Sequence, residues 1–477
     1  MSNVLVWRWF KKRRERPMFN EMGLTFLAYL ISLTIGWKLC RVVHGRLNAL
    51  LSIGLAVHYG MMVTAILLFV QIVLMGRFSR LHALAGILFT LVLVLNLHET
   101  EFSLVRKGPK TIWSTRFLVG LAMSIAVLLL MAIYLKSPYG GGLDVWAIWK
   151  FKARILFLSD KPLQLLFEPN FKFSHFDYPI FYPLMLVWGW ILVGKQSVYA
   201  GMWCSILFWS GFLCTAAGFV RELKPKQSWV LPLLFASTPI LTGYAASLYA
   251  DTIVAGYFLT GVVLILLCLR NASNHLLMGA GWMMASAALI KNEGQMACAA
   301  SLVILVFSVR LIPKIFYFFF GAAMPLGVLI YFRRLCPYEN HMLSIERFKE
   351  VVDRGDLIPY LQTIFNAIKE QVLNENSWVY GWVFIILTTL LLAFRFLKQK
   401  RWIPHLFACL MLASYIGVYI MTFRDLEGHL RTSLDRVMLQ IYPIFLMACY
   451  FAIAGSSEKE LQFKKSMKPV QSKRDLK

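Results

Sequence analysis

The chain has 477 residues, of which 59% are hydrophobic and only 15% are charged, and its mean hydropathy is +0.64. This composition excludes an ordinary soluble enzyme, because so few charged residues cannot cover so much apolar surface, and it predicts an all-α polytopic membrane protein. The formal net charge of +25 lies in short loops and at the chain ends. It therefore indicates membrane topology and contact with membrane lipids, and nucleic acid is not a predicted partner.

Apolar runs long enough to cross a bilayer recur along the chain. By the rule that a spanning helix needs about 20 apolar residues, the sequence predicts about thirteen transmembrane helices. The runs are 22–39, 47–75, 81–98, 117–135, 197–220, 229–247, 252–270, 276–290, 295–309, 315–332, 379–397, 403–422 and 434–453. The shorter run 180–194, interrupted by Pro183, predicts a dipping or interfacial segment.

These runs divide the chain into three parts. Residues 1–116 form an N-terminal membrane segment with a basic start, residues 117–453 a larger membrane domain, and residues 454–477 a basic cytoplasmic tail. The membrane domain has two large polar loops, 136–178 and 333–378, and helical spacing in the second predicts amphipathic helices over 345–352 and 357–372. The positive-inside rule places both loops, and the turns 291–294 and 424–433, on the outer side. The same parity leaves the basic 8–16 block outside, against the rule.

The first large loop carries a carboxylate before an amphipathic segment. Asp144 follows a run of glycines, and the next residues form an apolar stripe at 3.6 spacing, consisting of Val145, Ile148, Trp149, Lys152, Ile155 and Leu156. Lys150 and Arg154 lie four residues apart and share the other face. Two interpretations stay open: Asp144 is the N-cap of an interfacial helix, or it is a general base with cations nearby for a phosphate.

The same loop ends in a second polar group. His175, Asp177 and Tyr178 precede Pro179, which favours an extended backbone at the membrane boundary. A carboxylate beside histidine and tyrosine suits acid–base chemistry or hydrogen bonding to a substrate, and a plain polar turn is the alternative.

Further ionisable residues fall at the ends of later apolar runs. Asp251 precedes one run, and Lys291 and Glu293 occupy a short turn between two others. Near the last run lie His429, Arg431, Asp435 and Arg436. Charges at membrane boundaries are less costly than at its centre, so snorkelling of Lys291 and an Arg431–Asp435 ion pair are the simpler interpretations. The functional interpretation makes Lys291 and Arg436 binders of an anionic group.

Several familiar sites are missing from the sequence. There is no Gly-rich nucleotide loop, no Cys/His metal spacing and no His-Glu-x-x-His motif, which disfavours a nucleotide-driven pump or a metalloprotease. No cofactor is firmly predicted. A divalent ion, Mg or Mn, at Asp144 and Asp177 stays open, because such ions need only one or two carboxylates plus substrate phosphate.

The motifs together resemble the GT-C superfamily of integral-membrane glycosyltransferases, in particular the enzymes similar to protein O-mannosyltransferases. The matching pieces, which cover about residues 117–453, are Gly142-Leu143-Asp144, Trp149-Lys150-Phe151-Lys152-Ala153, His175-x-Asp177-Tyr178-Pro179, Tyr249-Ala250-Asp251, Lys291-Asn292-Glu293-Gly294 and Arg436. The resemblance implies a GT-C-like helical bundle and an inverting hexosyl- or pentosyltransferase that uses a polyprenyl-phosphate sugar. It further implies an envelope glycan, lipid or protein as acceptor, and an active site on the outer face of the bacterial cytoplasmic (inner) membrane.

Carried onto this sequence, the resemblance gives each candidate a role. Asp144 and Asp177 would be catalytic, with Asp144 as the base; Lys291, Arg436 and Arg431 would bind phosphate. His175, Tyr178, Lys150, Arg154, Asp251, Glu293 and His429 would contact sugar or acceptor.

Two other functions stay open. A GT-C-like O-antigen ligase or polysaccharide polymerase would use a polyprenyl-diphosphate glycan and the basic residues of the late loop, namely Arg333, Arg334, His341, Arg347 and Arg354. A lipid-linked sugar flippase or transporter would instead use intramembrane charges as a substrate path. The sequence has no two-half symmetry that favours a transporter.

Overall fold

The computed structural model describes residues 18–101, 103, 113–136, 142–271, 273–338, 344–394 and 402–454. The basic 8–16 block, His341 and residues 455–477 of the basic tail lie outside the described residues. In chain order the α-helices are α1 (Met18–His44), α2 (Ala49–Met75), α3 (Arg80–Leu95), α4 (Trp113–Lys136), α5 (Phe151–Leu158), α6 (Pro162–Leu166), α7 (Phe181–Ile191), α8 (Val198–Leu223), α9 (Val230–Ala236), α10 (Pro239–Ala246), α11 (Ala250–Asn271), α12 (Asn274–Ile290), α13 (Glu293–Phe307), α14 (Ile315–Leu335), α15 (Ile345–Asp353), α16 (Leu357–Leu373), α17 (Glu375–Trp378), α18 (Gly381–Leu391), α19 (Trp402–Ile420) and α20 (Leu426–Ala454).

Eight helices of the described chain are long and apolar enough to cross a membrane. They are α1, α2, α4, α8, α11, α14, α19 and α20, and they indicate an integral, multi-pass membrane protein, as the composition predicts. Of these, α2, α8, α11 and α20 are largely buried, whereas α4 and α14 leave most of their apolar surface exposed. Such exposed apolar faces suit contact with lipid.

The described structure does not show the thirteen full-length spans that the sequence predicts. The remaining predicted runs form shorter helices: α3, α12, α13 and α18 each have fewer than 18 residues within the described chain. The run 229–247 is divided into α9 and α10, because Pro239 begins a new helix after Thr238. Apolar length alone does not separate a span from a buried helix, since a helix packed among others is apolar for reasons of packing.

The segment 180–194, predicted to be dipping or interfacial, is a buried part of the bundle. Every residue of α7 is buried, and the helix packs against α2, α5 and α8. The two amphipathic helices predicted in the late loop are present as α15 and α16. The helix α16 packs against α19 and α20, so this loop is anchored on the bundle.

Close helix contacts bring the charged turns together. In α12, a side-chain carbon at Gly281 would overlap the carbonyl oxygen of Phe318 in α14. Reciprocally, one at Gly321 in α14 would overlap the carbonyl oxygen of Met278. Glycine at both positions therefore allows α12 and α14 to pack backbone against backbone, which sets the turn after α12 beside the end of α14.

Candidate active site

Separate stretches of the chain meet in one charged cluster. It contains Asp144 from the loop after α4, Asp251 from the first turn of α11, Lys291 and Glu293 from the turn between α12 and α13, and Arg436 from α20. Arg436 interacts electrostatically with both Asp144 and Asp251, and Lys291 forms ion pairs with Asp251 and Glu293. The structure thus brings these predicted residues together, although they are far apart in the sequence.

Asp144 and Arg436 form a direct ion pair. Arg436 donates from Nη1 to Oδ2 of Asp144 and from Nη2 to the carbonyl oxygen of Thr432, 2.7 Å away. Its guanidinium carbon lies 5.5 Å from the centre of the Tyr249 ring, a favourable cation–π distance. The Asp144 carboxylate makes no capping hydrogen bond to the helix that follows. The Asp144 carboxylate therefore pairs with Arg436 and does not form the helix cap that one of the two interpretations of the sequence predicts.

Lys291 is held by two carboxylates. Its Nζ lies 2.9 Å from Oδ1 of Asp251 and 2.7 Å from Oε1 of Glu293, and Nε2 of Gln440 also donates to Oδ1 of Asp251 at 2.8 Å. Lys291, Asp251 and Glu293 are all almost fully buried. Burial alone lowers the pKa of Lys291, but Asp251 and then Glu293 outweigh it and raise the pKa above its usual value. Lys291 is therefore charged, and its burial between two carboxylates contradicts simple snorkelling, which would place the ammonium group in water.

Some buried polar atoms of this cluster have no hydrogen-bond partner among the described residues. They are Oδ2 of Asp251, Oε2 of Glu293 and Nε of Arg436. Buried polar atoms are nearly always paired with protein or ordered water, so this group of two acceptors and one donor is unusual. Its chemistry suits a small ligand that carries hydroxyl groups.

A second set of contacts joins Asp177 to the same turn. Asn292 donates from Nδ2 to Oδ2 of Asp177 at 2.7 Å, and it accepts from Nη2 of Arg333. Arg333 also donates from Nη1 to the carbonyl oxygen of Asp177 at 2.7 Å. Because Asn292 lies between Lys291 and Glu293 in the sequence, the Asp177 network and the Lys291 network share one turn.

His175 and Tyr178 form the wall between these networks. The Tyr178 ring stacks on His175 at 5.1 Å and on Trp149 at 5.8 Å between ring centres, and Lys291 Nζ lies 5.6 Å from the Tyr178 centroid. Burial raises the pKa of Tyr178 above its usual value. Burial also lowers the pKa of His175, although Asp177 opposes the shift. Since a guanidinium can only donate, His175 Nε2 accepts from Arg424 Nη2 at 3.2 Å, and the ring is neutral.

Three other predicted site residues have contacts of their own. Lys150 and Arg154 lie 5.0 and 5.4 Å from the Trp146 ring, and burial, with Arg154 nearby, lowers the pKa of Lys150 to about 8. His429 pairs with the hydroxyl of Thr422 at 2.9 Å.

The predicted Arg431–Asp435 ion pair is not among those of the described chain. Arg431 is exposed, and Asp435 instead accepts a hydrogen bond from the hydroxyl of Tyr244. Of the ligase candidates in the late loop, Arg347 donates to the carbonyl oxygen of Thr422 and to Glu350, while Arg334 and Arg354 are exposed.

The sequence did not reveal all members of the cluster. Gln440 is a polar residue inside an apolar run, and it lies four residues after Arg436, on the same helical face. This position in the sequence is a signal that could have identified it. Asn292 lies inside a turn already singled out. Arg333 appeared only as a candidate for the ligase alternative, because its distance from Asp177 depends on how α14 packs.

A preformed metal site is not supported by the residues present. Among the described residues, no group of three or more His, Cys, Asp or Glu side chains could hold a metal ion. Asp144 is paired with Arg436, and Asp177 with Asn292, so a divalent ion at these carboxylates would have to displace existing partners. The Mg or Mn hypothesis stays a prediction.

Comparison with protein-family models, with curated proteins and with solved structures finds no match to this chain. Only the chemistry of the cluster therefore points to a function.

Proposed function

We propose that this chain is a membrane glycosyltransferase of the GT-C type that transfers a sugar from a polyprenyl-phosphate donor to a hydroxyl of an envelope glycan, lipid or protein. The observation that carries the proposal is the ion pair between Asp144 and Arg436. A carboxylate suited to be a base and a guanidinium suited to bind phosphate lie in direct contact at the end of an apolar bundle. A phosphate that binds Arg436 would compete with Asp144 for it, and would free the carboxylate to accept a proton.

The proposed reaction is a direct displacement. The acceptor hydroxyl attacks the anomeric carbon as its proton moves to the Asp144 carboxylate, and the bond between that carbon and the phosphate oxygen breaks. Polyprenyl phosphate leaves with the bonding electron pair, and the configuration at the anomeric carbon inverts. Arg436 stabilises the negative charge that develops on the leaving phosphate. Lys291 adds positive charge nearby, although its direct partners are carboxylates.

The buried carboxylates supply a place for the sugar. Oδ2 of Asp251 and Oε2 of Glu293 have no hydrogen-bond partner in the described structure, and sugar hydroxyls are donors that would satisfy both. Lys291 pairs with the two carboxylates at 2.9 and 2.7 Å. In this proposal, Asp251 and Glu293 orient the sugar, while His175, Asp177 and Tyr178 line the acceptor side.

A small cleft lies beside the cluster. Tyr249, whose ring underlies Arg436, lines it together with Phe208, Trp209, Phe212, Leu248 and Ile253. Its free space is that of about one water molecule, so the isoprenoid chain of the proposed donor would lie elsewhere, along the lipid-facing surface. The proposal includes a GT-C-like bundle with about thirteen crossings by the span-length rule, in the bacterial cytoplasmic membrane with the site on its outer face.

Sugar release from a defined donor tests the proposal. The full chain in proteoliposomes receives radiolabelled polyprenyl-phosphate hexoses and pentoses with a crude envelope acceptor fraction, and label leaving the lipid phase is counted. We expect transfer by the wild type and at least a hundredfold loss for Asp144→Asn, in the range that removal of a base gives. Asp160→Asn, an exposed aspartate of the same loop, is the matched control. Near-normal turnover by Asp144→Asn would exclude the proposed base.

The ligase or polymerase is a second candidate because Arg333, from the start of the late loop, contacts the Asp177 network. Such an enzyme would use a diphosphate donor and should lose activity in Arg347→Ala while tolerating Asp144→Asn. A flippase would move the labelled lipid to the other leaflet intact, without sugar release. A polyprenyl-diphosphate glycan, added as donor in the same assay, tests the ligase.

A further inference from the structure

Lys152 is a buried lysine on the apolar stripe of the first loop. Its side chain is fully buried, and Nζ donates to the carbonyl oxygens of His175 at 2.6 Å and Tyr178 at 2.8 Å. No carboxylate of the described chain lies within ion-pair distance of it. Burial lowers the pKa of Lys152 to about 7, with Asp177 opposing and Arg333 adding to the shift. A lysine here is costly to bury, so a methionine would be expected if packing alone mattered.

The turn that Lys152 contacts is closed by a backbone hydrogen bond from the N–H of Tyr178 to the carbonyl oxygen of His175 at 3.0 Å, and side chains add to it. The carbonyl oxygen of Asp177 accepts from Arg333 at 2.7 Å, and that of Phe176 faces the Cys336 thiol at 3.5 Å. With Lys152 on the other two carbonyls, all four successive carbonyl groups from His175 to Tyr178 have side-chain partners. His175 has a φ of 54°, a left-handed conformation that costs energy in a non-glycine residue. The side-chain contacts therefore help one backbone hydrogen bond to hold a strained turn.

We propose that Lys152 is a positioning residue that holds the 175–178 turn, and through it sets the places of His175, Asp177 and Tyr178 at the active site. The expected effect of Lys152 on turnover rests on the proposed function, because Lys152 itself contacts only backbone. The expected effect of Lys152 on the turn is independent of that function. Loss of the Lys152 donors would let the turn relax, and Asp177 and Tyr178 would leave their partners Asn292 and Trp149.

Two readouts test the role separately. Hydrogen exchange followed by mass spectrometry on peptides covering 172–180 should show at least tenfold faster exchange in Lys152→Met, which keeps the unbranched apolar stem but removes the donors. Lys161→Met, an exposed lysine of the same loop, should match the wild type. In the sugar-transfer assay, Lys152→Met should lower kcat about ten- to a hundredfold with little change in the donor KM, the range expected when a positioning contact is lost.

Lys152→Gln is the conservative variant, because its neutral carboxamide, one atom shorter than the lysine, keeps two N–H donors for these carbonyl groups. We expect it to keep most of the exchange protection and most of the turnover. A folded Lys152→Met with unchanged exchange or unchanged kcat overturns the inference, as does a folded Lys152→Gln that behaves like Lys152→Met. If Lys152→Met does not fold, Lys152→Gln decides alone: retained protection and turnover support the role, and their loss contradicts it. If the wild type transfers no sugar, the proposed function fails while the exchange data still test the turn.

Discussion

Arg436 and Asp144 lie 292 residues apart in the sequence and form an ion pair across the candidate site. Neither residue is fully exposed, with 15% of the Arg436 side chain and 32% of the Asp144 side chain accessible. The pair therefore lies where screening by water is reduced but where a ligand can still reach it. This placement suits a contact that is exchanged during a reaction cycle.

Replacement of Arg436 should remove stabilisation of the leaving phosphate. We expect Arg436→Gln to lower kcat about a hundredfold or more, as loss of one oxyanion-stabilising group does, and Arg436→Lys to recover only part of it because lysine cannot donate in the same planar geometry. Arg77→Gln, an exposed arginine in a distant turn, is the control. Kinetics of labelled sugar release measure the effect. Unaltered kcat in Arg436→Gln would contradict a role in binding the leaving group.

The Lys291 network should make a large contribution to stability. Lys291→Met leaves Asp251 and Glu293 buried without their shared counter-ion, and breaking a buried pair in this way costs about 3–5 kcal/mol. The triple variant Asp251→Asn, Lys291→Met, Glu293→Gln removes all three charges, so it should recover most of the loss. Thermal unfolding of the purified proteins in detergent measures both. If the triple variant is as unstable as Lys291→Met, the penalty does not come from uncompensated charge.

Sequence reasoning identified ionisable turns more reliably than their pairing. Charged residues at the ends of apolar runs are costly to place near a membrane, which singles out Asp144, Lys291 and Arg436 in the sequence. The structure brings these three residues into one cluster. The sequence could not show that Lys291 binds two carboxylates, because that depends on how α11, α12 and α13 pack. The spacing puts Lys152 on the apolar stripe, and the structure buries it there. The carbonyl groups that Lys152 contacts belong to a turn more than twenty residues later. The number of spans could not be read from apolar length alone, because burial inside a bundle and contact with lipid both select apolar residues.

The pKa of His175 predicts how stability changes with pH. Burial lowers its folded pKa below the ordinary value of 6.5, so on acidification the unfolded chain takes up a proton before the folded one. Stability should therefore fall as the pH drops below about 6.5, towards the folded pKa. A proton on His175 would also end its acceptance of a hydrogen bond from Arg424.

His175→Gln retains an acceptor for Arg424 but cannot titrate. Thermal unfolding of both proteins between pH 7.5 and 5 should show a steeper loss of stability for the wild type. Other buried histidines contribute equally to both curves, so only the difference is informative. Parallel curves would show that His175 does not titrate differently on folding.

Gly142 should be intolerant of a side chain because of Tyr249. A carbon added at Gly142 would overlap the Tyr249 hydroxyl, so Gly142→Ala must displace either the loop that carries Asp144 or the ring beneath Arg436. Either displacement separates the proposed base from its partner, and a misplacement of about 1 Å can cost about a hundredfold in rate. We therefore expect Gly142→Ala to reduce sugar transfer strongly while the protein remains folded.

Removal of the Tyr249 hydroxyl should relieve only part of the overlap, because two ring carbons would still lie 2.5 and 2.8 Å from the added carbon. Tyr249→Phe keeps the ring below Arg436, so the double variant Gly142→Ala, Tyr249→Phe should recover little of the sugar transfer lost in Gly142→Ala. Gly243→Ala is the matched control, since a side-chain carbon there meets no atom within 4 Å. If Gly142→Ala is fully active, then the approach of the Asp144 loop to Tyr249 does not position the site.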